Sequence, residues 1–170
     1  MWLHGAVVAE RPLILDPPAV IVVPVWKDQS PDDTVFGLIR TVAPTTAYWW
    51  QYAPNLTVKS LGAASLVFPH EYRAKGELDK MTAERIVTTL FRAEVRDMHP
   101  IGGLTFGKQQ SGHACVMIVA VEKIPNHADD DRTVWIKEHD LLTAIGSGKI
   151  HEAATIAAYQ YYQIARYERR

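Results

Sequence analysis

The sequence predicts one α/β (α+β) domain in which a mainly antiparallel sheet lies between helices. Three observations carry that expectation. Residues 19–26 form a continuous β-branched run, suited to a strand buried on both faces. Ile86, Val87, Leu90 and Phe91 recur at helical spacing inside residues 82–98. Two further helix-forming segments, 138–145 and 149–167, close the chain and are parted by Gly146, Ser147 and Gly148, which is helix-stop chemistry. Strands, a helix, more strands and terminal helices make a layered domain.

The elements follow in order. Residues 5–9 and 12–15 read as two short strands, and 19–26 as a central one. Residues 27–33 form a polar loop with a turn signal at Ser30, Pro31, Asp32 and Asp33. Residues 34–42 then return as the second strand of a hairpin. Residues 43–55 are irregular and aromatic, and 57–68 alternate as a strand. Thr82 is the expected N-cap of the helix, which Pro100, Gly102 and Gly103 are expected to end. Residues 101–106 and 113–123 read as strands, 126–132 as a polar loop, and 133–136 as a short strand.

Composition narrows the function. The chain has 170 residues, 48% hydrophobic and 22% charged, with a formal net charge of -1. That is ordinary globular composition, with no basic stripe for nucleic acid and no apolar stretch long enough to cross a membrane. Cys115 is the single cysteine, so no intrachain disulfide can form. It lies in an apolar run and reads as a small core residue, and the protein is expected to be soluble and cytoplasmic. The seven histidines show no metal-ligand spacing, which argues against zinc.

Leu61 to Pro69 followed by Gly76 and Glu77, and the closing pattern from Thr133 through Gly146, Gly148 and Ile156, resemble the Nudix hydrolase superfamily, most specifically its ADP-ribose pyrophosphatase branch. The likeness runs diffusely from Ala19 to Tyr162. It implies a Nudix-like α/β/α sandwich over residues 1–170, with N-terminal strands in 1–18 that pair two chains into a homodimer and closing helices in 137–170. The family box reads G-x5-E-x7-R-E-U-x-E-E-x-G, with U apolar. Anchoring on Glu77 places Arg85 at the arginine but Ile86, Thr89 and Leu90 at the acidic positions. Anchoring on the far end places Glu94 at the last glutamate, with Thr89, Leu90 and Ala93 for the other charged positions. Neither register restores the acidic set, so the box is degenerate.

The loss bears on chemistry. In such hydrolases, glutamates one helical turn apart share a face and hold divalent cations that bridge a pyrophosphate and activate water. Leucine and isoleucine cannot coordinate Mg or Mn. Helical periodicity would set Glu94 within the apolar stripe, where its carboxylate needs a partner such as Arg73, Arg85 or Arg92. The candidate catalytic or metal residues are therefore Glu94 and Glu77, with Asp130 in the acidic loop 129–131; Glu71 joins them if hydrolysis survives. The candidate ligand-binding residues are Trp49, Trp50, Arg73, Arg85 and His70. The Trp49 and Trp50 pair either stacks on a base, forms an interface or packs in the core.

Three function classes follow. One is a Nudix-fold protein that binds a nucleoside diphosphate derivative resembling ADP-ribose, or a partner, without efficient hydrolysis. Another is an active Mg- or Mn-dependent pyrophosphohydrolase that uses non-standard acidic ligands. The last is an assembly subunit that keeps only the scaffold.

Overall fold

Alternation along the central strands sets the layering. In the computed structural model, which describes residues 18–27, 34–42, 64–106, 112–125 and 132–168, the order is β1 (Ala19–Lys27), β2 (Thr34–Val42), β3 (Ala64–Val67), β4 (His70–Tyr72), α1 (Asp79–Ile86), a π-turn (Val87–Phe91), β5 (Val95–Phe106), β6 (Gly112–Val121), β7 (Thr133–Lys137), α2 (Glu138–Gly146) and α3 (Ala153–Glu168). Ile21, Val23 and Val25 of β1 face one core, and Val20 and Val22 face the other. All five are buried, as expected for a strand covered on both sides. β6 runs parallel to β1 with Ile21 opposite Val116 and Val23 opposite Ile118, so its side chains divide the same way.

The strand order is β3-β2-β1-β6-β5, with β4 paired to β1 and β7 to β2. Among the described residues, five of the six pairings are antiparallel and β1–β6 is parallel. The hairpin strands β1 and β2 pair at Val25–Lys27 and Thr34–Phe36 and then diverge. β4 takes up Ala19–Ile21 of β1, and β3 takes up Ile39–Val42 of β2. α1 covers the core of Val20, Val22, Met117 and Val119. α2 and α3 cover the opposite core through Leu141, Ala144, Ala158, Tyr159 and Tyr162. The result is the α/β/α sandwich the sequence predicts.

The helix before β5 differs from expectation. It begins at Asp79, with Leu78 in the N-cap position and no side-chain cap. Thr82, the expected cap, is a buried residue of the second turn whose hydroxyl donates to Leu78 O at 3.3 Å. The helix ends near Phe91, because Arg92 adopts a left-handed φ of 50°. The preceding turn widens to π geometry around two adjacent β-branched residues, Thr88 and Thr89, and the Thr88 hydroxyl donates to Glu84 O at 2.9 Å. Residues 95–98, expected to be helical, belong to β5 instead. Pro100 is tolerated there because, among the described residues, β5 pairs only with β6, and the ladder shifts register between Pro100 and Gly102. The segment from Pro69 to Glu77, which reads from sequence as a loop, contains a short strand, β4. At the C-terminus Gly148, with φ of 75°, turns the chain out of α2 as expected.

Candidate functional site

The loop from β4 into α1 is built around one ion-pair clasp. Arg73 N–H donates to Pro18 O at 2.8 Å, tying the exit of β4 to the start of β1. Gly76, at a φ of 81° that L side chains rarely adopt, then turns the chain so that Ala74 N–H donates to Glu77 Oε2 at 2.9 Å and Glu77 N–H to Ala74 O at 3.0 Å. Glu77 in turn receives a two-pronged bond from Arg85, Nε to Oε1 at 2.9 Å and Nη2 to Oε2 at 3.0 Å. The remaining Arg85 nitrogen, Nη1, donates to Glu71 of β4. Three of the five guanidinium donors are thereby used. The Glu77–Arg85 spacing in sequence is realised as a contact in space.

The arginine holds the Glu77 carboxyl at about 2, against an ordinary 4.5, and the Ala74 amide adds to the effect. The same carboxylates push the Arg85 guanidinium above its already high range. A carboxyl more acidic in the folded state contributes its stability fully above pH 4.5 and loses it as pH falls towards about 2. Thermal melts over that window should therefore fall less steeply for Glu77→Gln than for the wild type. Equal slopes would mean that the clasp does not contribute.

Beside the clasp, Arg73 Nη1 donates to Asp79 Oδ1 at 3.0 Å. The Cys115 thiol, on the α1 side of β6, is half-buried and not a closed core residue. Burial first, and then the nearby Asp79 carboxylate, push the thiol up to about 11 from 9.0. It stays protonated at neutral pH and is a poor nucleophile. Labelling with a disulfide reagent should run about a hundredfold slower than for a free cysteine; a rate equal to the free thiol would contradict this.

The other expected residues divide. His70 is exposed on β4 opposite Ile21. Glu94 lies beyond the helix, exposed, with its backbone carbonyl accepting Glu122 N–H at 3.0 Å. It is not in the apolar stripe, because the chain leaves the helix at Arg92. Arg73 and Arg85, two of the arginines expected to neutralise it, are bonded to Asp79 and to Glu71 and Glu77. Trp49, Trp50 and Asp130 lie outside the described residues. Of α1 and its π-turn, Ile86 and Val87 are buried, Leu90 is half-buried and Thr89 is exposed. Asp79 and Cys115 are the participants that sequence reasoning missed; no periodicity links β6 to the start of α1.

The donor set near α1 does not suit a divalent cation. Among the described residues, no three His, Cys, Asp or Glu side chains are grouped to hold a metal. Glu71 and Glu77 supply the oxygens a hard cation requires, but both accept from Arg85.

No family model and no curated protein sequence matches this chain. Solved structures do match. An ADP compounds hydrolase superposes with a TM-score of 0.61 at 16% identity, covering 89% of this chain and 74% of its own. A Nudix hydrolase from Nitrosomonas europaea gives 0.59 at 12% identity, covering 88% and 90%. The C-terminal domain of mouse MUTYH, solved in complex with human PCNA, gives 0.57 at 13% identity, covering 89% and 90%. The fold is that of the Nudix hydrolases. At such identities the likeness extends to the fold alone.

Proposed function

We propose that this chain is a Nudix-fold binding protein for a nucleoside diphosphate derivative of the ADP-ribose type, with a degenerate box that does not support efficient hydrolysis. One observation supports the reading: the Glu77–Arg85 clasp favours one of the two possible registers of the box. With those two residues at the box's Glu-x7-Arg, the acidic positions fall on Ile86, Thr89 and Leu90, and the closing glycine falls on Arg92. Arg92 holds the left-handed conformation that favours glycine. Ile86 is fully buried and, like Leu90, has no oxygen to offer a cation.

Ligand class is taken from the ADP compounds hydrolase of the same fold. In this reading Arg85, with two donors left over, His70 and Arg73 approach the diphosphate, and Trp49 and Trp50 supply stacking faces for the base. Two chains pair through residues 1–18, and light scattering that gives the 19.1 kDa mass of one chain would remove that part.

Binding is tested by thermal melts with ADP-ribose, with and without Mg or Mn. A ligand that binds only the native state at a hundredfold above its Kd raises Tm by about 5–10 °C. A shift that needs no metal is expected. No shift with ADP-ribose or related nucleotides would sink the nucleotide reading and leave the scaffold-only class.

A further inference from the structure

A cleft of about 200 Å³ opens on the face of the sheet opposite α1, at the C-terminal ends of the parallel strands β1 and β6. Its wall is apolar where Val25, Ile118 and Ala165 meet, and cationic where Lys27, Arg96 and Arg166 converge from β1, β5 and α3. Asp97 is the single carboxylate in the lining, together with His99; Asp97 accepts Met98 N–H at 2.8 Å and stands 3.8 Å from His99 Nδ1. Arg166 is oriented by Glu138 at 2.7 Å, and Lys27 and His99 also interact within the fold.

Two features show construction beyond a charged surface. Arg96 and Asp97 are consecutive, so in a regular strand they would point to opposite faces, yet both line the cleft. The register of β5 on β6 shifts between Val95 and Asp97, a bulge that re-aims the Arg96 side chain. The second feature is Tyr162, 3% exposed, whose hydroxyl is buried without a hydrogen bond. The Thr34 hydroxyl lies close enough to influence it, but neither meets bonding geometry. A buried hydroxyl left in this way lacks an acceptor. Burial pushes the phenol above its usual range, so it is an O–H donor at neutral pH.

We propose that this cleft binds a phosphate-bearing small molecule, its phosphate held by Arg96, Lys27 and Arg166 with the Tyr162 hydroxyl donating, and its short organic body against Val25 and Ile118. Donors arriving from three separate elements match three phosphate oxygens better than the two of a carboxylate, which one arginine satisfies alone. The volume is below the roughly 300–1,000 Å³ of pockets for drug-sized ligands, so the molecule is a fragment in size. This site does not rest on the proposed nucleotide reading: the Glu77–Arg85 clasp lies at α1, on the other face of the sheet.

The test is an NMR titration of the full chain with ethyl phosphate at constant ionic strength, with propionate as comparison. Saturable shifts confined to Arg96, Ile118, Tyr162 and their neighbours are expected. Arg96→Gln, an exposed position, should weaken binding about tenfold, as should Tyr162→Phe, which keeps the buried ring. Lys80→Gln, exposed on α1, should leave it unchanged. Shifts that do not saturate, that ignore Arg96→Gln and Tyr162→Phe, or that propionate reproduces with equal affinity would overturn the proposal.

Discussion

Phe36→Ala is expected to destabilise the fold by about 3–5 kcal/mol, since a deleted buried phenylalanine loses its transfer free energy and leaves a cavity. Phe36 is fully buried on β2, where Tyr159 and Tyr162 of α3 meet Phe68, the residue after β3. Its ring lies 5.0 Å from Tyr162 and 5.8 Å from Tyr159, both edge-on, and 6.2 Å from Phe68. Such edge-to-face pairs add about 0.5–1.5 kcal/mol beyond area burial. Typical domains hold only about 5–15 kcal/mol in total, so the variant should sit near its unfolding threshold. Urea melts read the loss as a lower midpoint at unchanged slope. A loss under about 1 kcal/mol would mean that α3 does not close this core as described.

The second large effect joins packing to the candidate site. A Cβ added at Gly37 would stand 2.8 Å from Phe91 Cε1, 3.1 Å from Pro24 Cβ and 3.2 Å from Trp135 Cη2. Phe91 closes the π-turn after α1, and its ring packs edge-on against Trp135 of β7 at 5.3 Å. Gly37→Ala should therefore cost about 1–3 kcal/mol by overpacking. It should also displace the end of α1, and with it the geometry that Thr89 and Leu90 present. The expected readout is a lower urea midpoint together with altered amide shifts through residues 87–92. A wild-type midpoint would show that the two rings yield freely. Nothing in a strand sequence marks this glycine, because its need arises from a ring on another element.

What the sequence disclosed was what periodicity and punctuation encode. The buried run of β1, its hairpin partner β2 and the helix stop at Gly146–Gly148 all depend on local pattern. The two closing helices do too, although α3 begins at Ala153 and not at Lys149. The end of α1 was hidden because the stop is an arginine at positive φ. Arg92 gives no glycine signal, and the apolar spacing continues through Val95 and Met98, which β5 uses on the same core. That single misreading moved Glu94 from an exposed turn into an apolar stripe. The clasp was half legible: the resemblance set Glu77 and Arg85 at the box's Glu and Arg positions, whereas their contact, and Glu71 beside them, arise only because β4 folds against β1 next to α1. The cleft near Tyr162 was not legible, since it gathers β1, β5, β6 and α3 across long sequence distances.

The clasp also bears on the functional claim. If Glu77 and Arg85 fix the register, the carboxylates needed for metal-assisted attack on a pyrophosphate are replaced at Ile86, Thr89 and Leu90. The direct measurement is AMP release from ADP-ribose by the wild-type chain with saturating Mg or Mn. The account predicts no release above the uncatalysed background, under conditions where ADP-ribose raises the melting temperature. Metal-dependent release that Glu94→Gln or Glu77→Gln abolishes would contradict it and establish an active hydrolase with a rebuilt acidic site.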